Sequence, residues 1–309
     1  MTTEAITLDS HSQSTKPPSD AASHLLHADF GERRRKWFSH FVVALCGVSA
    51  VVVLVPLASI FLYIINKGAP GLSLDFFTKL PTPVGVAGGG LSNAVLGTLT
   101  LIGIASAIGL PIGILAGVYV AEVGKGRVAD LIRFFAEVLS GVPSITIGVF
   151  VYAVLVVPMK TFSAFAGGVS LAIIMIPTVA RTTEELLRMV PSQLREASLA
   201  LGVPQWKTSI FIVLRTAAPG ILTGVMLGIA RIAGETAPLL FTAFNNRFLS
   251  TRLDQPIASL PVQILTYATS PYAEWQQKAW TGAFVLVFVI LILNLIARLG
   301  TRRQVGGAS

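Results

Sequence analysis

Residues 41–65 have the sequence FVVALCGVSAVVVLVPLASIFLYII, an uncharged run of 25 mostly apolar residues. A helix needs about 20 such residues to cross the hydrocarbon core of a bilayer, so this run predicts a membrane-spanning helix. The composition of the 309-residue chain agrees, since 53% of the residues are hydrophobic and 12% are charged. A soluble domain carries roughly 25% charged residues. We therefore expect a membrane protein.

Five further apolar windows extend this prediction to six spans. The windows are residues 80–121, 138–159, 161–180, 216–244 and 279–297, and the first span lies within 37–66. Because window 80–121 opens with a Pro- and Gly-rich loop, its helix is expected to start near Asn93. Residues 255–273 are uncharged but contain three prolines, so we predict an external segment that lies near the surface or is partly re-entrant, with a seventh span as the alternative. The predicted fold class is an all-α membrane protein with six transmembrane helices.

The distribution of Lys and Arg predicts the orientation of these spans. If the N-terminus lies inside, sixteen of the 23 basic residues fall in inner loops and tails and six fall outside. Inner loops of membrane proteins are enriched in basic residues, so both termini are expected to be cytoplasmic. The net charge of +8 is then a topology signal rather than a nucleic-acid surface. The basic cluster at residues 33–36 is expected to block translocation and to contact anionic lipid.

The polar ends of the chain suggest three divisions. Residues 1–32 are rich in Ser, Thr, Ala and Asp and predict a disordered cytoplasmic tail. They have no apolar segment typical of a signal peptide. The transmembrane domain is expected over residues 33–303, including a long inner loop at 181–215, and residues 304–309 form a short cytoplasmic tail.

The sequence lacks the common motifs of nucleotide binding and hydrolysis. It contains no phosphate-binding G-x-x-x-x-G-K-[ST] loop, no H-E-x-x-H and no G-x-S-x-G. All four histidines precede residue 41, outside the predicted bundle, and Cys46 is the single cysteine. We expect no catalytic residues, metal site or cofactor, and a membrane enzyme is the weakest of the alternatives.

Two charged residues stand inside the fifth predicted span. Arg231 and Glu235 are four residues apart, which on a helix places both on one face, close enough to pair. Each charge at a helix centre costs about 2.5–3.5 kcal/mol on insertion scales. The N–H donors of a guanidinium match the geometry of phosphate-like oxyanions, and the group stays protonated. We therefore predict that Arg231 contacts an anionic solute in transit, while Glu235 holds Arg231 in place and partly neutralises its charge. The alternative is a buried ion pair that fixes helix register.

Further charged residues lie at the predicted membrane edges. Arg181 ends the fourth span, where its simplest role is to reach the interface with its guanidinium. Arg133 and Glu137 open the third span at the spacing of a helical ion pair.

The inner loop at 181–215 contains a short predicted helix over residues 196–202 that Gly202 ends. It resembles the EAA loop of ABC-importer permeases, whose pattern is E-A-A, three residues, G, nine residues, I, one residue and L-P. The matching positions are Glu196, Ala197, Gly202, Ile212 and Leu214. The chain departs from this pattern at Ser198, where Ala is usual, and at Arg215, where Pro is usual. The resemblance implies that this loop couples the permease to an ATPase.

Four other segments resemble the phosphate-importer permeases of the PstA family. These segments are SGVPSITIG at 140–148, IPTVARTTEELLRMVP at 176–191, ARIAGETAPLLF at 230–241 and SPYAEWQQKAW at 270–280. The resemblance runs from about Phe38 to Arg298. It implies a type I ABC-importer permease fold in the bacterial inner membrane. It also implies three partners: a second permease (PstC-like), an ATPase dimer (PstB-like) and an extracytoplasmic phosphate-binding protein (PstS-like). Positions matching Arg181 and Arg231 take part in phosphate passage in that family.

We therefore predict a permease subunit that forms half of the pathway of an ATP-driven phosphate importer. The main alternative is an ion-driven anion carrier or channel, which would not need the exposed loop around residues 196–202. Without the resemblance, the residues do not separate phosphate from sulfate, molybdate or phosphonate.

Overall fold

The computed structural model describes the backbone of residues 20–305 except 87 and 125, and the side chains of residues 34–295 with the same two exceptions. Every regular element in this part of the chain is helical. In chain order the helices are α1 (Asp20–Gly68), α2 (Leu74–Thr78), α3 (Ser92–Val118), α4 (Arg127–Gly141), α5 (Ser144–Val151), α6 (Val157–Met159), α7 (Ala164–Arg188), α8 (Ser192–Ala200), α9 (Gln205–Lys207), α10 (Leu214–Ala233), α11 (Ala237–Thr242), α12 (Leu260–Ala268) and α13 (Ala273–Val305).

Three segments between or after these helices are π turns, which hold one more residue per turn than an α-helix. Tyr119–Val123 prolongs α3, Tyr152–Val156 joins α5 to α6, and Thr208–Val213 joins α9 to α10. Such turns frequently occur at functional sites.

Five helical segments are long and apolar enough to cross a membrane. They are Arg34–Gly71, Ser92–Val123, Ala164–Arg188, Gln205–Ala233 and Ala273–Leu295. The pair Arg127–Gly141 and Ser144–Met159 supplies a sixth crossing if this pair, bent by 105°, counts as one span. The all-α class is confirmed for the described residues, and the predicted number of six spans is reached when the bent pair counts as one.

The chain divides into two units, one ending at Phe61 and the other beginning at Leu62. The described part of the first unit is α1 from Asp20 onward. Residues 20–32, predicted to lie in a disordered tail, are therefore helical here, and their Ala and Leu residues favour a helix. Residues 1–19 and 306–309 lie outside the described part, so the domain boundaries at 33 and 304 stay predictions.

Helix α7 is the central helix of the second unit, and α3 packs along one side of it. Glycines four residues apart on α3 make this close approach possible. A Cβ at Gly113 would lie 2.9 Å from the Val179 Cβ, and one at Gly117 would lie 2.5 Å from the Ala180 carbonyl oxygen. Small residues at this spacing let membrane helices pack backbone to backbone.

A second stripe of glycines brings α10 against α7. Gly220 faces Leu186, and Gly224 faces Thr182, one turn along each helix. Gly228 continues the stripe opposite Met175 and Val179. Because α3 and α10 each approach α7 in this way, α7 supplies many of the buried residues of the main core.

The third predicted span is broken, which corrects the expectation of one helix over residues 138–159. Helix α4 ends at Gly141 and α5 begins at Ser144, and the chain bends by 105° between them. Val142 adopts an extended conformation (φ −73°, ψ 130°) before Pro143. Proline disfavours a helical conformation in the residue before it and lacks an N–H for the helix ladder, so the helix stops here.

The segment at 255–273 folds back into the second unit. Its helix α12 has nine residues, too few to cross a membrane. Leu260, Val262 and Tyr267 are buried, and the Leu260 N–H donates a 2.7 Å hydrogen bond to the Thr98 hydroxyl of α3. The structure therefore agrees with a folded-back segment rather than with a seventh span, and its position outside the membrane stays a prediction.

Candidate functional site

Arg231 lies at a break in the fifth predicted span. Helix α10 ends at Ala233, Gly234 caps it, and α11 begins only at Ala237. The Arg231 guanidinium donates a 3.3 Å hydrogen bond from Nη1 to the hydroxyl of Thr178 on α7. Thr178 is about 21 Å from the start of α7 and about 15 Å from its end at 1.5 Å per residue. Arg231 is therefore placed at mid-height of a membrane-spanning helix.

Interrupted helices at mid-height are a recurrent setting for transported ions, because the free helix ends expose polar groups there. Arg231 is exposed, and it sits in the last turn of α10, where a positive charge is favourable. An exposed cation at this depth faces either a water-filled path or another protein surface.

The predicted ion pair between Arg231 and Glu235 is wrong. Glu235 follows Gly234 and lies outside α10, so the two residues do not share a helix face. No salt bridge joins them among the described residues, and Glu235 is half-buried. The two residues do not pair because Gly234 ends the helix between the two charges.

Arg181 lies on α7 one turn beyond Thr178, so the structure brings Arg181 and Arg231 to neighbouring positions. The Arg181 Nε donates a 3.2 Å hydrogen bond to Glu185 Oε1, and both side chains are about two-thirds exposed (65% and 64%). Arg188 follows on the same face of α7. Thr178, Arg181, Glu185 and Arg188, which we call the polar track, descend from mid-height to the end of α7 next to α8.

A cavity of about 300 Å³ opens beside the lower part of the polar track. Glu184 in its wall accepts hydrogen bonds from Arg133 Nε at 3.0 Å and lies 2.8 Å from Arg188 Nη2. The predicted pair of Arg133 with Glu137 is therefore replaced by a link from α4 to α7. The walls also contain Arg181, Glu185 and Glu137, so three arginines and three glutamates line the cavity and their formal charges balance.

The segment that resembles the EAA loop forms α8, and its predicted contact residues are exposed. Glu196 and Ala197 face outward from α8. Gly202 follows the helix with φ +77°, a conformation that glycine adopts without steric cost. The Gly202 N–H donates to the Leu199 carbonyl and the Val203 N–H donates to the Ser198 carbonyl, at 2.9 and 3.2 Å. These two bonds form a Schellman motif that ends α8.

The loop is shorter than its predicted bounds of 181–215. Helix α7 continues to Arg188, and a helical segment resumes at Gln205 and runs into α10 without a turn at Arg215. Ile212 lies in the π turn before α10 and is half-buried, and Leu214 packs against the main core. The structure thus separates the predicted coupling residues into an exposed group on and just after α8 and a more buried group at the start of α10.

Ser198, which departs from the EAA pattern, has a structural role. Its hydroxyl lies 2.8 Å from the Thr208 hydroxyl, and both residues are buried. This hydrogen bond ties α8 to the π turn at Thr208–Val213. An alanine at position 198 could not form it.

Sequence reasoning did not identify Thr178, Glu185 or Arg188 as members of a common face. Their spacing with Arg181, at positions i, i+3, i+7 and i+10, is typical of one helix face. The signal was hidden because the span was predicted to end at residue 180. Among the described residues, no group of three or more His, Cys, Asp or Glu side chains is placed to hold a metal ion.

Comparison with known families gives a match over most of the membrane bundle. The sequence model of the family described as "Binding-protein-dependent transport system inner membrane component" matches residues 109–305. This stretch contains α7, the polar track, α8 and Arg231.

Two relatives carry the name phosphate transport system permease protein PstA. The protein from Yersinia pestis is 50% identical over 235 residues, which cover 76% of this chain and 80% of the relative. The protein from Xylella fastidiosa (strain Temecula1) is 45% identical over 284 residues, which cover 91% and 96%.

A solved structure of the methionine ABC transporter MetNI in an inward-facing conformation contains a chain of similar fold. Its TM-score is 0.54 at 19% identity, over 69% of this chain and 93% of the other. This similarity concerns the fold alone.

Proposed function

Since the chain belongs to the family of binding-protein-dependent transport inner membrane components, and within it to the PstA permeases, we propose that it carries inorganic phosphate across the bacterial inner membrane. The chain is a multi-pass permease subunit of an ATP-driven importer, and ATP hydrolysis belongs to a separate subunit. We infer that it forms half of the pathway, with a PstC-like permease as the other half.

Two further partners complete the proposed assembly. A PstS-like protein delivers phosphate from outside, and a PstB-like ATPase dimer docks from the cytoplasm against α8. The basic residues near α8 and at both termini support a cytoplasmic position for that end of the bundle, by the positive-inside rule. Glu196, Ala197 and Gly202 are the docking residues, while Ile212 and Leu214 hold the helical segment that carries the motion into α10.

The position of Arg231 carries the substrate proposal. Arg231 is an exposed cation at mid-height, at a helix break, and Thr178 links it to the polar track that contains Arg181. A guanidinium binds phosphate oxygens through paired N–H donors and cannot lose its proton. Glu235, half-buried after the break, lowers the net positive potential so that the anion is released rather than trapped. Arg181 then receives the anion one turn further along α7.

The test is phosphate uptake by the reconstituted complex with Arg231→Gln or Arg181→Gln in this chain. Because the glutamine keeps the size and loses the charge, we expect uptake to fall about tenfold or more, equivalent to about 1.4 kcal/mol in the barrier. Arg127→Gln is the matched control, since Arg127 is an exposed arginine on α4, away from the polar track.

Uptake by Arg231→Gln equal to that of Arg127→Gln would refute the role of Arg231. The same preparation distinguishes an ATP-driven importer from an ion-driven carrier. For the importer, an ATPase should co-purify with the tagged chain, and its activity should rise with phosphate but not with sulfate. Transport that continues without ATP would contradict the proposal.

A further inference from the structure

A buried carboxylate outside the proposed pathway connects α8 to the membrane bundle. The side chain of Glu122, in the π turn that prolongs α3, is 7% exposed. Its Oε1 accepts a 2.8 Å hydrogen bond from Arg195 Nη2, and its Oε2 accepts one of 2.8 Å from the Ser209 hydroxyl. Both carboxylate oxygens are therefore satisfied by residues more than 70 positions away in the sequence.

Arg195 also donates two hydrogen bonds to the end of α7. Its Nη1 donates to the Val190 carbonyl and its Nη2 to the Leu187 carbonyl, each at 2.7 Å. These carbonyls lie at and just beyond the end of α7, where backbone carbonyls have no N–H donor within the helix. One guanidinium on α8 therefore binds the ends of both α3 and α7.

Ser209 extends this connection to the start of α10. It is buried in the π turn Thr208–Val213, which runs directly into α10. The cluster of Glu122, Arg195 and Ser209, which we call the buried joint, thus connects α8 to α3, α7 and α10. The glycine stripes of α3 and α10 pack these two helices against α7. Two of its three members lie in π turns, where an extra residue turns the side chain out of ordinary helical register.

The chemistry of the joint favours a fixed geometry over simple adhesion. A buried ion pair adds little net stability compared with apolar packing. Removing one partner nevertheless destabilises the protein strongly, because the other charge is left buried without a partner. The contribution of the ion pair is geometric, since the planar guanidinium donates its hydrogen bonds in fixed directions. Apolar contacts would permit α8 to slide, whereas these hydrogen bonds do not.

We propose that the buried joint is the rigid connection that makes α8 move together with α3, α7 and α10, and that Glu122 and Arg195 are positioning residues for coupling rather than for substrate. The proposal rests on the proposed function, since it assigns the path by which motion at α8 reaches the polar track. It differs from the docking role of Glu196 and Gly202, which face away from the bundle.

The experiment measures phosphate transported per ATP hydrolysed by the complete complex in proteoliposomes. Glu122→Gln keeps the shape and removes the charge, and Arg195→Lys keeps the charge and removes the planar fork. For both we expect phosphate-stimulated ATPase activity to persist while phosphate per ATP falls by about fivefold or more. A residue that merely supports folding would lower both activities together and leave their ratio unchanged.

Arg252→Lys is the control, because Arg252 forms an arginine–carboxylate pair with Asp254 (2.7 Å) in the loop before α12, away from α8. A wild-type ratio in Glu122→Gln and Arg195→Lys would overturn the proposal. If these variants do not assemble, Ser209→Ala decides, since it removes one neutral partner: a lowered ratio supports the joint and an unchanged ratio overturns it. Failure of the wild-type complex to couple phosphate to ATP would instead refute the proposed function.

Discussion

Replacement of Gly202 tests how the end of α8 is held. Gly202 has φ +77°, and a Cβ built there would meet nothing within 4 Å. The cost of Gly202→Ala is therefore conformational, without a clash to add, and amounts to about 1–2 kcal/mol for an L-residue in the left-handed region. This corresponds to a roughly 5- to 30-fold larger population in which the end of α8 is open.

Hydrogen exchange at the Val203 amide measures this opening directly. The Val203 N–H is held by the Ser198 carbonyl at 3.2 Å, so it exchanges only when the Schellman motif opens. In Gly202→Ala its exchange should accelerate by roughly 5- to 30-fold. Gly202→Asn should show a smaller effect, because Asn tolerates the left-handed conformation.

Gly103→Ala provides the control, since Gly103 also has open space around a Cβ but lies within α3 at an ordinary helical conformation. If α8 docks on an ATPase, uptake should decline in the order Gly, Asn, Ala at position 202. Equal exchange at Val203 in the wild type and Gly202→Ala would show that the left-handed conformation at position 202 carries no cost for alanine.

Two other substitutions test the packing of the bundle. Gly117→Ala should destabilise the protein by about 1–3 kcal/mol, because its Cβ would lie 2.5 Å from the Ala180 carbonyl oxygen. In thermal unfolding of the purified chain, the Tm of Gly117→Ala should be lower than that of Gly103→Ala. The reverse order would contradict the close approach of α3 and α7. Ser198→Ala should lower stability by only about 0.5–1.5 kcal/mol and leave uptake nearly unchanged, since the Thr208 hydroxyl can still donate to the Pro204 carbonyl at 3.4 Å. A large loss of uptake would show that this hydroxyl pair has a role beyond holding α8 in position.

Several features of the fold and site were predictable because their causes are local. The uncharged windows located the membrane helices, since each spanning helix needs its own run of mostly apolar residues to cross the hydrocarbon core. Gly202 ended α8 at the predicted residue, because the need for a left-handed conformation is a property of one position. The candidate residues of the loop were found by their offsets in the sequence alone.

The two wrong pairings came from a local spacing rule that a helix break or a competing partner overrode. Arg231 and Glu235 would pair on a continuous helix, but Gly234 ends α10 between them. Arg133 has Glu137 at the right spacing, yet it binds Glu184 of α7 instead. In each case a partner or a break that lies outside the short window decided the outcome.

The sequence by itself therefore determined the membrane class, most of the spans and the family resemblance, and it singled out Arg231 as a candidate, because burial in lipid and helix ends are set by neighbouring residues. The tertiary structure decided which side chains meet. Arg231 reaches Thr178 across 53 residues, and Glu122 reaches Arg195 and Ser209 across 73 and 87. Such contacts depend on how closely α3 and α10 approach α7, which follows from the packing of complementary surfaces and not from any single window of the chain.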